Sequence, residues 1–337
     1  MSTPTRHLGR NGPLVSAIGL GAMSLGGAYG QQNTGEEKMQ LLDRAWEIGQ
    51  RFWDTADVYF DSEARIGEWF QRTGKRSDIF LATKFGLDYS TGDQVVRSDP
   101  EYVRFACERS LKQLDVQKID LYYCHRVDGK TPIEKTVEAM VELKKEGKID
   151  YLGLSEVSAS TIRRAHAVHP IAAVQVEYSL FTPDIEYPDT SILATCRELG
   201  ISIVAYSPIG RGLLAGNIKA HADLPPSPFF QLTPKYSAEN FPKVLHLKQK
   251  IEDIAERRGC TAAQVCLAWL CAQGDDVIPI PGTRNVKYLE ENLAAASVHL
   301  TKEEVAQLRS RAEEAEVKGD RYPTVWMGAI LSDTPQL

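Results

Sequence analysis

Arg51-Phe52-Trp53-Asp54-Thr55-Ala56-Asp57-Val58-Tyr59 is the stretch on which the reading of this chain turns. Arg51-Phe52-Trp53 is short, aromatic and follows a helical run that closes at Gly49, so it reads as a strand. Asp54 then puts a carboxylate where that strand should end, and Tyr59 puts a phenol in the loop beyond. An acid fixed on a strand end with a phenol held over it suits proton transfer. An aspartate at a strand-to-helix junction is also a common helix cap, so the pair acquires meaning only if other polar groups arrive at equivalent places.

Working outward, the same unit recurs. Residues 6–16 read as a small hairpin turning at Asn11-Gly12. Strands are then predicted at Ile18–Gly21, Arg51–Trp53, Ile79–Lys84, Ile119–Tyr123, Tyr151–Leu154, Ile171–Val176, Ile201–Tyr206 and Val277–Ile280, each followed by a helical pattern. A polar loop is expected over 86–99, and a long Pro-rich run, Asp223 to Pro234, lies inside the seventh unit. Strands alternating with helices imply a parallel sheet, and eight such units suggest a closed (β/α)8 TIM barrel of the α/β class with a short N-terminal β-hairpin and C-terminal helices. The whole of residues 1–337 is expected to form one domain. A doubly wound open sheet is the rival, but Gly19-Leu20-Gly21 lacks the third glycine of its phosphate-binding turn.

The bulk properties narrow the functions. The 337 residues are 43% apolar and 25% charged, with a net charge of −6, the balance of an ordinary globular chain. An acidic chain argues against nucleic acid as an obligate partner. No apolar run approaches the ~18 residues that span a membrane, and the first residues carry no apolar export signal. Six cysteines, none in a C-x-x-C pair, read as reduced thiols of a cytoplasmic protein. His166 and His169 share a helix face, but no third metal ligand follows nearby.

In a barrel, chemistry belongs at the C-terminal ends of the strands. Asp54, Tyr59, Lys84 and His125 all fall there, on adjacent strands. Singly each has an ordinary reading: a cap, a rim aromatic, a solvated lysine, a core histidine. Together they form a coherent set. Lys84 can pair with Asp54, its ammonium is expected to lower the Tyr59 phenol pKa, and His125 can hydrogen-bond a substrate oxygen. The product is a proton donor for a carbonyl oxygen on its way to an alkoxide. No side chain supplies a hydride, so reduction requires a nicotinamide cofactor.

Trp53-Asp54-Thr55-Ala56-Asp57-Val58-Tyr59, Ala82-Thr83-Lys84-Phe85-Gly86, Asp120-Leu121-Tyr122-Tyr123-Cys124-His125 and Tyr206-Ser207-Pro208-Ile209-Gly210-Arg211-Gly212 resemble the aldo-keto reductase superfamily over about residues 6 to 300. The likeness is greatest to the bacterial, fungal and plant branch that includes pyridoxal-reductase-like proteins. The resemblance implies NADPH-dependent reduction of a small-molecule aldehyde or ketone, with NADH as a second possible cofactor. It implies a catalytic tetrad of Asp54, Tyr59, Lys84 and His125 with the tyrosine as general acid. Asp54, Gly21 and Met23 are implied to border the cofactor, Ser155 and Gln175 to hold its carboxamide, and Tyr206 to stack on the nicotinamide. Ser207, Pro208, Ile209, Gly210, Arg211 and Gly212 would fold over the pyrophosphate. Gly282, Thr283, Arg284, Glu291 and Asn292 would hold the adenosine end, where a helix start also favours phosphate. Three positions depart from the usual pattern: Glu156 stands where an Asn is common, Tyr288 where an Arg is common, and Phe60 where a Gly often follows the tyrosine. Tyr29, Phe60, Phe85 and Trp326 are expected apolar walls for the substrate. Some members of the superfamily are instead cofactor-binding regulatory subunits of a membrane channel, so a binding module with little turnover is the alternative. The physiological substrate and the oligomeric state are not written in the sequence.

Overall fold

The computed structural model describes residues 3–27, 33–89, 92, 95–216 and 218–337. Strands β1 (Thr5–His7) and β2 (Leu14–Ser16) pair antiparallel, with Asn11 in the left-handed region at the turn. The alternation then runs β3 (Leu20–Gly21), α1 (Gly35–Glu47), β4 (Phe52–Asp54), α2 (Ser62–Thr73) and β5 (Phe80–Phe85). A two-stranded hairpin, β6 (Leu87–Asp88) with β7 (Val95–Val96), stands where a plain loop was expected. There follow α3 (Pro100–Leu114), β8 (Ile119–Cys124), α4 (Ile133–Lys145), β9 (Ile149–Ser155), α5 (Ala159–Val168), β10 (Ala173–Glu177), α6 (Ile192–Leu199) and β11 (Ser202–Tyr206). The Pro-rich run folds into the short α7 (Pro228–Leu232), then come α8 (Phe241–Arg258), α9 (Ala262–Cys271), β12 (Val277–Pro279), α10 (Val286–Ala294) and α11 (Lys302–Glu314).

Eight of these strands form one parallel sheet in the order β12-β11-β10-β9-β8-β5-β4-β3. Backbone bonds from Gly19 N to Pro279 O (3.0 Å) and Gly21 N to Pro281 O (3.1 Å), with a parallel bridge between Gly21 and Gly282, join the first strand to the last. The chain is therefore a (β/α)8 barrel, as the alternation predicts. The first strand of the barrel, β3, is only two residues long, against the four predicted.

Side chains alternate across each strand, and the two faces build two cores. Phe52, Ala82, Leu121, Tyr123, Ala173, Val204 and Ile278 meet inside the barrel, where Leu8 and Val15 of the hairpin join them. Trp53, Leu81, Phe85, Tyr122 and Cys124 point the other way, into the larger core between strands and helices. Gly153 makes room for this interior: a Cβ there would stand 2.3 Å from the Tyr123 ring. The helices have the expected start signals. Thr34, Thr261 and Thr301 each form a reciprocal capping box with Glu37, Gln264 and Glu304.

Beyond α11 the chain returns over the C-terminal end of the barrel. Ser332 bridges to Val157, and its amide donates to the Glu156 carbonyl (3.1 Å). Among the described residues no helix is long and apolar enough to cross a membrane, and all six cysteines are free thiols.

Candidate active site

Strand parity decides who faces the barrel axis. Phe52 is interior, so Asp54, two residues on, is too; the same step carries Ala82 to Lys84 and Tyr123 to His125. The three side chains thus converge where β4, β5 and β8 end. Tyr59 is brought over them by a tight loop. Its amide donates to the Ala56 carbonyl (3.1 Å), and its carbonyl accepts from Ser62 N (2.9 Å) at the start of α2. Thr55 N and Asp57 N donate to Ala82 O (2.8 Å) and Lys84 O (3.1 Å), which fastens the loop to β5. Gly26 is required beneath it, since a Cβ there would lie 2.1 Å from the Tyr59 carbonyl oxygen. The loop leaves Tyr59 through Phe60 at φ 52°, a left-handed conformation that explains why glycine suits that position.

Lys84 is fully buried and donates to Asp54 Oδ1 and to the Thr55 carbonyl (2.6 Å). The other Asp54 oxygen accepts from Gln175 Nε2 (2.8 Å) on β10. Burial drives the Asp54 carboxyl upward, against the pull of Lys84 and Gln175. Burial would likewise discharge Lys84, yet Asp54 and Tyr59 hold its ammonium above the ordinary lysine value. The Lys84 ammonium lies 4.8 Å from the centre of the Tyr59 ring.

The Tyr59 phenol is nevertheless raised above the ordinary tyrosine value, by burial and then by Asp54, with Lys84 and Arg126 opposing. The sequence-based expectation of a lowered phenol is therefore corrected: desolvation outweighs the ammonium. The phenol stays protonated at neutral pH, the form that can donate. His125 stands edge-on to Tyr59, ring centres 5.9 Å apart. Burial, then the Arg126 and Lys84 charges, push it well below the ordinary histidine value, so it is a neutral imidazole. Its Nδ1 is buried with no hydrogen-bond partner among the described residues.

Asp54, Tyr59 and His125 line one end of a cavity of about 1220 Å3. The same wall carries Gly21, Met23, Ser155, Gln175, Tyr206, Ser207–Ile209, Arg211, Gly212, Gly282, Thr283 and Arg284. Most residues matched by the resemblance are thus brought together. Gly210, Glu291 and Asn292 are not on that wall. Glu291 instead accepts from Thr261 Oγ1 (2.7 Å) and, at its carbonyl, from Gln264 (3.1 Å), tying α10 to α9. Tyr288 does reach the wall, beside Arg284.

The expected substrate walls divide. Phe60 and Trp326 line the cavity, both well exposed. Phe85 does not: it follows inward Lys84 by one residue, so it faces the helices and packs on Tyr122, ring centres 4.9 Å apart. Tyr29 lies outside the described residues.

Glu156, which stands where an Asn is common, has other partners. Its carboxylate does not line the cavity but accepts from Glu177 N (2.9 Å), from the Tyr206 hydroxyl (2.8 Å) and from both terminal nitrogens of Arg321 (3.0 and 2.6 Å). Burial would raise its carboxyl, but the Arg321 guanidinium brings it down to about 2. The Tyr206 hydroxyl meets that of Tyr322 at 2.8 Å. Among the wall residues that the sequence reading did not single out are Arg126, Phe229 and Tyr322. Arg126 could have been found as a charge immediately after an inward strand-end histidine. Tyr322 carries no periodic signal at all.

Comparison with known proteins bears on the family and the fold. Residues 17–313 match the model of the aldo/keto reductase family. The chain is 54% identical over 342 residues to aldo-keto reductase str7 of Strobilurus tenacellus, covering 100% of this chain and 99% of that one. It is 47% identical over 341 residues to aldo-keto reductase yakc [NADP(+)] of Schizosaccharomyces pombe, covering 100% and 99%. Among solved structures it is similar to the glycerol dehydrogenase AKR11B4 from Gluconobacter oxydans, with TM-score 0.84, 28% identity, and 94% and 98% of the two chains covered. It is also similar to the thermostable aldo-keto reductase Tm1743, with TM-score 0.73, 29% identity, and 92% and 100% covered. This chain belongs to the aldo/keto reductase family. It is an oxidoreductase of the carbonyl-reducing kind.

Proposed function

We propose that this protein reduces aldehydes or ketones to alcohols with NADPH, Tyr59 acting as the general acid. The observation that carries the reading is the stack at the cavity end. A protonated phenol and a neutral imidazole face the cavity, directly above a buried Asp54–Lys84 pair.

The cavity suits a nicotinamide dinucleotide by its donor set. Gln175 and Ser155 offer amide and hydroxyl groups beside the acid end, and Tyr206 offers an aromatic face. The glycine-containing segment 207–212 offers backbone amides. At the far end stand Thr283, Arg284 and the start of α10, capped by Asn285, an anion-favouring arrangement. When bound, the nicotinamide supplies the hydride to the carbonyl carbon. Tyr59 delivers the balancing proton to the carbonyl oxygen as its π bond opens, and His125 steadies that oxygen by hydrogen bonding. Lys84 favours the phenolate left behind, and Asp54 keeps Lys84 charged and in place. Arg284, with Lys287 nearby in sequence, favours NADPH over NADH, and Tyr288 in place of a second arginine keeps the margin modest.

The test is steady-state oxidation of NADPH and of NADH against a panel of aldehydes that includes pyridoxal, with dissociation constants for both cofactors. Turnover with tighter NADPH binding is expected. Absence of turnover across the panel would overturn the enzyme reading, and equal constants would overturn the cofactor preference.

A further inference from the structure

Several cations gather at the C-terminal end of the barrel, and Lys84, Arg321 and Arg211 among them are ion-paired. Lys84 has Asp54, Arg321 has Glu156 (2.6 Å), and Arg211 has Glu177 (3.3 Å). Arg126 is the exception. It is more than nine-tenths buried and lies on the cavity wall. Its Nη1 donates to the His125 carbonyl (2.6 Å) and to Ser155 Oγ (3.2 Å), both neutral. Its other two nitrogens make no hydrogen bond, and it forms no ion pair, among the described residues. Glu156 is the carboxylate whose charge acts most on it, but that group is already held by Arg321, Tyr206 and the Glu177 amide. A desolvated guanidinium without an anion is costly, and the cost is recovered when an anion arrives. Planar donors of this kind match a carboxylate.

We infer that Arg126 holds a carboxylate of the substrate beside the reacting carbonyl, so that the preferred substrates are oxo acids. The position of Arg126 selects the substrate rather than the cofactor as the source of the anion. It adjoins His125 and Ser155 at the acid end, whereas the cofactor phosphates, on the reading proposed above, lie along segment 207–212 and at Arg284. An oxygen of the substrate carboxylate can take the two free donors while Nη1 keeps its bonds to the protein. The carbonyl one bond away then faces Tyr59 and His125. Phe229, Tyr322 and Trp326 form an aromatic wall on the same cavity, which suits an aryl or extended apolar substituent on the other side of the carbonyl.

This inference rests on the carbonyl-reductase reading, and two independent arms test it. In the first, calorimetry measures benzoate and benzamide binding to the full chain with NADP+ present, for the wild type, Arg126→Lys and Arg126→Gln. Benzoate is expected to bind about 10- to 100-fold tighter than benzamide to the wild type, the worth of a charge-assisted bond. That preference should vanish in Arg126→Gln and persist in reduced form in Arg126→Lys. Equal wild-type affinities, or a preference that survives in Arg126→Gln, would overturn the inference. The wild-type pair of ligands and the lysine variant decide the matter even if the glutamine variant does not fold. In the second arm, the kcat/KM ratio of benzoylformate to its methyl ester should fall about 10- to 100-fold in Arg126→Gln, mainly through KM. An unchanged ratio would count against Arg126. Benzaldehyde serves as the neutral control: if neither it nor benzoylformate is reduced, the enzyme reading fails, while the calorimetry still decides the role of Arg126.

Discussion

Two buried ion pairs sit at the same rim of the barrel and do different work. Asp54–Lys84 joins neighbouring strands, and both residues come from one stretch of 31 positions. Glu156–Arg321 joins the end of β9 to the returning C-terminal segment, 165 residues away in sequence. The first pair lies under a phenol and a cavity. The second has its carboxylate turned from the cavity and used up by Arg321, Tyr206 and a backbone amide. Neither burial nor partner chemistry distinguishes them, since both are nearly inaccessible to solvent. What differs is what the pair leaves over. Lys84 retains influence on Tyr59, whereas Arg321 is shared among Glu156, Glu177 and Asp184.

The contrast breaks most visibly at the phenol. Tyr59→Phe keeps the ring and removes only the donor, so carbonyl reduction should drop by about 10²–10⁴-fold with cofactor affinity retained. Lys84→Met should lose a comparable factor, because the phenol and Asp54 then lose the ammonium buried beside them. Steady-state kinetics with cofactor titrations check both. Reduction at the wild-type rate in Tyr59→Phe would place the acid elsewhere.

The second pair should fail in a different measurement. Arg321→Met leaves Glu156 buried without its partner and should cost about 3–5 kcal/mol of stability, read by urea unfolding. Its effect on kcat should be smaller than that of Lys84→Met. Adding Glu156→Gln removes the stranded charge and should recover part of the loss, a coupling expected for groups in contact. If Arg321→Met instead abolished turnover at full stability, the distinction between the two pairs would collapse.

How much of this was legible before folding follows the same line. The eight units were readable because apolar strand runs and capped helices are local signals, as Thr34-Gly35-Glu36-Glu37 shows. The convergence of Asp54, Tyr59, Lys84 and His125 was readable because strand ends in a barrel share one face. Phe85 was misplaced by ignoring parity with Lys84, an error the period of two could have prevented. The role of Glu156 was not legible, because its partner lies in a segment without periodicity. Nothing local announces that Arg321 will be buried or that Tyr322 will reach Tyr206. The upward shift of Tyr59 was missed for a related reason: the number of atoms that will surround a loop phenol is a tertiary quantity.

Titration separates two carboxylates at this end more gently. Glu156 is held down to about 2 by Arg321. Its contribution to stability is therefore full above the ordinary glutamate value and fades as pH falls from about 4.3 toward 2. Asp57 is pushed up to about 7 by burial and by Glu63, despite its bond from Arg109 (2.5 Å). Here the fold favours the protonated acid, so the sign reverses: stability is greatest below about 4 and declines as pH rises toward 7. Asp57→Asn should flatten the slope between about pH 4 and 7, and Glu156→Gln should flatten the fall below about 4.3. Unfolding free energies measured across pH would expose either sign as wrong.

The smallest effect expected is in the segment from Ser207 to Gly216, which should be mobile without cofactor and ordered with it. Its arginine is already engaged from the far side. Arg211 lies 3.3 Å from Glu177 and 3.2 Å from the Tyr322 hydroxyl, over the Phe229 ring at 4.3 Å. Asp54–Lys84 is fixed by strands on both sides, whereas Glu177–Arg211 is fixed on one side only. Arg211 itself sits at φ 55° between Gly210 and Gly212, which have φ 58° and 90°, so the backbone on either side tolerates rearrangement. A contact of this kind can open without disturbing the sheet, and such opening can limit turnover through cofactor release. Hydrogen exchange over 207–216 should therefore slow when NADPH is added. In Arg211→Met it should be faster in the free protein, with β10 and β11 unchanged. Equal protection with and without NADPH would mean that the segment is no lid. Faster exchange throughout β10 in the variant would mean that Glu177–Arg211 belongs with the structural pair rather than with a gate.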